Sequence, residues 1–383
     1  MKNTKTTSCR LCKKEKFREI LYLGNQYVND FPSEWPTKGH KCPLVLVECL
    51  GCSLVQLLHS APPGLLYRDH YWYKSGLNNV IKKDLKEIAE QAIIERGHPR
   101  GNVLDIGAND GTLLSYFPKG YTKWGVEPAK NLHAQLKKNA DVVIDDFWPL
   151  ETSNKYDIIT AIGMFYDVED PVAFLTAARQ QLKDGGVFVA QLMTAKQMVE
   201  NNDIGNICHE HLEYYTWKSL KSLFTKARLE IYKVEENGIN GGSYRIFAKK
   251  KTGRFTVHVD HKEDEIDWDG FARDVKRLKR VFADVLDGLT HRKLKVYIYG
   301  ASTKGNTIIQ YLKVGPDVIK AAIDKDPEKF GKYMQTGIPI TDDANIKDAD
   351  VLWCIPYGFV GAFKKKEKFR GRWMVISPDV NFL

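Results

Sequence analysis

The sequence predicts an α/β protein. An open, largely parallel sheet lies at its centre, with a small cysteine-bound unit before it and a second strand–turn–helix unit after it. Three observations predict this. Residues 103–111, VLDIGANDG, read as an apolar strand closing on a glycine-bearing turn, with helical patterning from Thr112. Residues 295–312, KVYIYGASTKGNTIIQYL, repeat that order late in the chain. Near the start, Cys9-Arg10-Leu11-Cys12 and Cys49-Leu50-Gly51-Cys52 form two CxxC pairs.

The bulk composition suits two or three domains. The chain has 383 residues, 43% hydrophobic and 27% charged. No apolar run approaches the ~18–20 residues needed to cross a bilayer, and the opening MKNTKTTSCRLC lacks the apolar core of a signal peptide. A cytoplasmic protein with no membrane partner is expected. The net charge of +9 suits a phosphate-bearing partner, without separating a nucleotide-linked small molecule from nucleic acid. The basic run Lys364-Lys365-Lys366-Glu367-Lys368 reads as a solvated face more often than as a binding site.

An odd count of seven cysteines argues against a fully paired disulfide framework. Two knuckles can present four thiolates, Cys9, Cys12, Cys49 and Cys52, to one tetrahedral zinc ion. Four thiolates leave no open position, so the zinc would be structural. Cys42, Cys208 and Cys354 fall outside the pattern and read as small buried residues.

The central segment reads as a cofactor loop. Gly107 and Gly111 allow the backbone close to a ligand, and Asp105 closes the strand before them. Asn109 lies within the turn. The next strand, KWGVEP, ends in Glu127, an acid able to accept from two ribose hydroxyls. A nicotinamide enzyme would want GxGxxG here, and GANDG does not match. The pattern is that of the class I S-adenosylmethionine-dependent methyltransferase fold. Its order continues through VVIDDFW (142–148), YDIITAIGMF (156–165), a helix from Pro171 to Leu182, and DGGVFVAQL (184–192). Asp145 or Asp146, with Phe147, is placed for the adenine edge and face. Gly163, after the fourth strand, completes the cofactor set.

Several segments together then resemble one family, the C-methyltransferases acting on nucleotide-linked keto-deoxyhexoses. CPLVLVECLGCSLVQL (42–57), YWYKSG (71–76), CHEHLEYY (208–215), NGGSYRIF (240–247) and GASTKGNT (300–307) carry the resemblance over essentially the full length. It implies a zinc-binding domain (1–68), a methyltransferase core (69–255), a connecting helix (256–290) and a Rossmann-like nucleotide-sugar domain (291–383). It also implies His211 as general base, Glu210 as its positioning partner, His209 as a donor to a ketone oxygen, and Tyr73 as a further catalytic candidate. Tyr71, Lys74, Arg245, Lys304 and Asn306 would meet a thymidine- or guanosine-diphosphate sugar. Cys208 and Asp167 depart from the family's tyrosine and histidine, Gly163 from an asparagine, and Asn240 from a histidine.

The chemistry supports the resemblance independently. Methylating carbon requires a carbon nucleophile, which a sugar provides only beside a ketone, after deprotonation. The resemblance implies a product methylated at carbon 3 of a 4-keto-6-deoxyhexose. Histidine suits the base. On an extended chain His209 and His211 would share a face, where a metal could also bind. A zinc-bearing nucleic-acid methyltransferase is the alternative, although it leaves NGGSYR and GASTKGN without a role. In the late domain, GASTKG lacks the middle glycine of a dinucleotide turn, and Asp324 sits where a ribose-binding acid would. An apolar stripe at Phe271, Val275, Leu278, Phe282 and Val285 predicts a connecting helix.

Overall fold

A computed structural model describes residues 2–28, 30–251, 253, 259, 261–262 and 265–383. The expected boundary at 255–256 lies outside these residues. The central sheet has seven strands, ordered in space as Leu229–Asn237, Ser243–Lys250, Leu182–Met193, Tyr156–Ile162, Gly101–Ile106, Tyr121–Val126 and Val142–Ile144. Ser243–Lys250 alone runs against the others. The parallel strands are buried on both faces, so they read as apolar runs such as DIITAI rather than as alternation. The helix predicted from Pro171 begins there. Proline suits a first turn, and Asp170 caps it by accepting from the Ala173 N–H.

The late unit is a second doubly wound sheet. Its strands are ordered Ile340–Thr341, Ile319–Ile323, Val296–Tyr299, Val351–Cys354, Arg372–Ile376 and Val380–Phe382. All are parallel except the last. The connecting helix forms over Trp268–His291, with the predicted stripe buried except Val285, which is partly buried. Phe282 meets Trp353 at 4.6 Å between ring centroids, joining helix to sheet.

The cysteine unit is an antiparallel sheet of Phe17–Tyr27, Lys41–Cys49 and Val55–Leu57. A fourth strand comes from far along the chain: Glu213–Tyr214 pairs with Val55–Gln56. The core thus donates an edge strand to the N-terminal unit. No described helix is long and apolar enough to cross a membrane.

Each sheet changes its direction of winding between two neighbouring strands. In the core this happens between Gly101–Ile106 and Tyr156–Ile162, and in the late sheet between Val296–Tyr299 and Val351–Cys354. Ligands bind in open α/β sheets at the carboxyl ends of such strand pairs. The two crevices face one cavity, lined by Ile162 and Gly163 from the core and by Ser302–Lys304 and Ile355–Phe359 from the late sheet.

Removing the Phe282 ring should cost ~3–5 kcal/mol, the range for a large buried aromatic. Urea titration of Phe282→Ala is expected to show this loss as a lowered midpoint.

Candidate active site

The cofactor loop is held by residues 73–76, near the start of the core. Gly107 and Gly111 take positive φ of 69° and 76°, and a side chain at Gly107 would press within 2.8 Å of Met164. Asn109 donates to the Tyr73 carbonyl at 2.9 Å and accepts from the Ser75 N–H at 3.0 Å. Asp110 accepts from the Gly76 N–H at 2.7 Å. A Cβ on Gly76 would lie 2.7 Å from that carboxylate, so glycine is required for the approach. Sequence reasoning missed Asp110. Its signal was the Asp-Gly-Thr turn before the helix, where its other oxygen accepts from the Thr112 N–H.

Glu127 is buried at the end of the second strand and accepts from the Asn109 and Ala129 N–H groups, each at 2.8 Å. One lone pair on each oxygen stays available for a diol. Asp105 is buried beside it and accepts from Thr160 at 2.7 Å. Burial raises its carboxyl to about 7, Thr160 opposes that rise, and the Glu127 charge adds to it. Asp145 and Asp146 are exposed and face Arg68 at 3.5 and 3.1 Å, whose guanidinium also lies 5.2 Å from the Phe147 ring.

The cavity between the two sheets has a volume of about 250 Å3. Tyr71, Tyr73, Glu210 and His211 line it from the core side, and Lys304 from the late sheet. Asp84, Tyr166, Gln191, Asp203 and Tyr357 also line it. No local motif marks these five, because distant parts of the chain bring them together.

His211 is held as a neutral imidazole. Its Nδ1 lies 2.8 Å from the Asn206 carbonyl. A carbonyl only accepts, so Nδ1 carries the hydrogen and Nε2 keeps the lone pair. Tyr166 packs edge-on against the ring at 4.6 Å. Burial and, after it, the Lys304 charge lower its pKa to about 3, against the opposing effect of the Asn206 carbonyl. Asp167 is held well above the usual carboxylate range by burial and by the Glu210 and Glu213 charges.

Four expected site residues lie elsewhere. His209 and His211 do not share a face, because a turn closed by His211 N–H to the Cys208 carbonyl sends them apart. The His209 Nε2 meets the Cys42 carbonyl at 3.0 Å, in the N-terminal unit and away from the cavity. Arg245 is buried. It donates to Asp84 at 2.7 Å, Glu87 at 2.8 Å and Gln191 at 2.9 Å, which leaves no fork for a diphosphate. Instead it steadies Asp84 and Gln191, which do line the cavity. Lys74 pairs with Glu328 at 2.8 Å and Asp326 at 3.3 Å, clasping the late sheet to the core. Asn306 is 0% exposed; it donates to the Asp30 carbonyl and accepts from the Gln335 N–H, each at 3.0 Å. Asp324 is likewise occupied, by Lys329 at 3.2 Å.

The knuckle cysteines converge. All four Sγ atoms lie within 4.8 Å of one another, with Cys9–Cys52 at 3.6 Å and Cys12–Cys49 at 3.5 Å. A tetrahedron of ~2.3 Å zinc–sulfur bonds has edges of ~3.8 Å, so the four thiols fit the ion. Between the cysteines, Arg10 donates to the Leu57 carbonyl and Ser60 and approaches Glu213 at 3.6 Å, tying the knuckle to the donated strand.

The sheet order, the acid-ended second strand and the glycine turn define an S-adenosylmethionine-dependent methyltransferase. A methyltransferase domain model matches residues 73–234, a zinc binding domain model residues 9–67, and a C-methyltransferase C-terminal domain model residues 238–376. The chain is 25% identical over 358 residues to the C-methyltransferase NovU of Streptomyces niveus, covering 87% of this chain and 84% of that protein. Together these matches identify the chain as an S-adenosylmethionine-dependent methyltransferase similar to C-methyltransferases. Its cofactors are S-adenosylmethionine and a structural zinc ion. Solved structures similar to it include a methyltransferase from Clostridium acetobutylicum (TM-score 0.39, 13% identity, 45% of this chain and 92% of that one). Another is the magnesium protoporphyrin IX methyltransferase of Synechocystis (TM-score 0.37, 12% identity, 45% and 88%).

Zinc analysis of the purified protein should find about one ion per chain, and Cys49→Ser should lose it and melt at lower temperature. An unaltered zinc content would remove the four-thiolate assignment.

His209 carries a pH prediction. Burial lowers its pKa to about 4, the Cys42 carbonyl opposes this, and His40 adds to the lowering. The unfolded chain therefore binds a proton that the folded one does not, between pH ~6.5 and 4. Stability is full above pH 6.5 and should fall by ~3 kcal/mol as the pH drops to 4. In His209→Gln that share of the slope should vanish from denaturant titrations run across this window.

Proposed function

We propose that the protein deprotonates the carbon beside a ketone of a nucleotide-linked keto-deoxy sugar and methylates it. Carbon 3 of a 4-keto-6-deoxyhexose on thymidine or guanosine diphosphate fits best. The observation that carries this reading is His211: a neutral imidazole, its Nε2 lone pair unengaged by Asn206, lining a cavity between two nucleotide-type crevices. The C-methyltransferase relationship supports it, because methylation at carbon calls for such a base. The units 1–68, 69–255 and 291–383, joined by 256–290, would anchor, react and hold the nucleotide.

Asp105, Gly107, Asn109, Gly111, Glu127, Phe147 and Gly163 would hold S-adenosylmethionine, with Glu127 accepting from the ribose diol. When bound, that cofactor supplies an electrophilic methyl group. Everything else falls to the chain's own residues. His211 would take the proton, and Glu210, beside it at the cavity, would orient substrate or base. Tyr71 and Tyr73 would keep their hydroxyl protons, since burial raises both pKa values, and so would act as donors to sugar oxygens.

Asp167 and Cys208 replace a histidine and a tyrosine of the family beside this site. Neither side chain is among those lining the cavity, so both would act on the sugar only through their neighbours.

The test uses labelled S-adenosylmethionine with thymidine- and guanosine-linked 4-keto-6-deoxyhexoses. Label is expected in sugar carbon for at least one of them, and His211→Gln should lower the rate ~10²–10⁴-fold. A folded, cofactor-binding protein that labels none of the panel would sink the proposal.

A further inference from the structure

Lys304 reaches the cavity from the second residue of the helix Thr303–Leu312. Among the described residues, no carboxylate lies within the 4.0 Å ion-pair distance of its Nζ. Its hydrogen-bond partner is the Met193 thioether, at 3.0 Å. A thioether is a weak acceptor, and a half-buried ammonium facing one has exchanged water for little. Such a group is stabilised when an anion arrives.

Met193 is shared with the base. It lines the main cavity beside Lys304, and it also lines the small void that touches His211. Ammonium and imidazole thus flank one side chain. Their proximity is felt electrostatically, since after burial Lys304 is the next-largest influence lowering the basicity of His211. Protonating His211 in the free enzyme would set two cations in one low-dielectric site. Deprotonating a ketone protonates His211 too, but it creates an oxyanion at the same moment. An oxyanion between the two cations adds two attractions that offset their mutual repulsion. That interaction exists only as the proton moves, which is the condition for lowering a barrier.

The geometry points to Lys304 as the electrophile that receives the enolate oxygen, not as a ligand of the nucleotide's phosphates. This rests on the ketone reading of the site given above. In the step, Nε2 of His211 takes the proton from the carbon beside the ketone. The C–H electron pair becomes the C=C bond, and the carbonyl π pair moves onto oxygen, which accepts an N–H of Lys304. Without methyl donor, the enolate carbon is reprotonated and the carbonyl re-forms, so in heavy water that carbon acquires deuterium.

The experiment compares the wild type, Lys304→Met and Lys304→Arg without methyl donor. Each is incubated in heavy water with the thymidine- and guanosine-linked 4-keto-6-deoxyhexoses, and deuterium in the sugar is followed by mass spectrometry. Calorimetry with thymidine diphosphate and guanosine diphosphate reports phosphate binding. At saturating sugar, exchange by Lys304→Met should fall roughly 10²–10³-fold, the effect of losing one oxyanion donor. Diphosphate affinity should shift by less than about threefold, and Lys304→Arg should retain more exchange than Lys304→Met. Should the methionine variant fail to fold, the charge-conserving arginine variant carries the same comparison, with slower exchange at unchanged diphosphate affinity expected. Unchanged exchange at saturation, with diphosphate affinity weakened about tenfold or more, would hand Lys304 to the phosphates and overturn the assignment. If the wild type exchanges no sugar on the panel, the ketone reading falls and this inference falls with it. If the wild type exchanges and folded Lys304→Met matches it, only the role of Lys304 is lost.

Discussion

The pairing of Glu213–Tyr214 with Val55–Gln56 is the constraint on which the site depends. It ties a segment of the methyltransferase core into the sheet of the zinc-binding unit. Residues 204–215 are thereby fixed from three sides. His209 reaches the Cys42 carbonyl, the Leu212 N–H donates to the Tyr166 carbonyl, and Gly205 packs against Lys304 and Ile308 of the late helix. His211 sits inside that triple junction. Its ring cannot turn freely, because Nδ1 is spent on Asn206 and Tyr166 covers one face. The zinc unit, remote from any chemistry of its own, is therefore part of what holds the His211 ring in place.

The second organising feature is the meeting of two crevices. Each doubly wound sheet presents its switch point to the same cavity, so one could take the methyl donor and the other the nucleotide. The clasp of Tyr73–Gly76 onto Asn109 and Asp110 joins the first crevice to the segment bearing Tyr71 and Tyr73. Lys74, in the same segment, reaches Asp326 and Glu328 of the other sheet. A stretch of four residues therefore couples both crevices.

The fold was largely legible in the sequence. Fully buried parallel strands announce themselves as apolar runs, and glycine-bearing turns mark their carboxyl ends. Two CxxC pairs gave the zinc site outright, since thiolates at that spacing have few other uses. Residue roles were harder to read. Arg245, Lys74 and Asn306 are polar residues in marked motifs, yet each is consumed by partners over a hundred residues away, such as Asp84, Asp326 and Asp30. His209 was misjudged for a local reason: two residues apart means one face only on an extended chain, and here the chain turns. Asp203, Tyr357 and Gln191 reach the cavity with no local signal at all. Asp110 had one, in its Asp-Gly-Thr turn.

The proposed division of labour places a neutral His211 and a cationic Lys304 across one ketone. A crystal structure with S-adenosylhomocysteine and a nucleotide-linked 4-keto sugar tests it most directly. The account predicts the ketone-adjacent carbon within ~3.5 Å of His211 Nε2, and the ketone oxygen within ~3 Å of Lys304 Nζ. A structure with Lys304 on the diphosphate, or with the sugar ring turned away from His211, would contradict it.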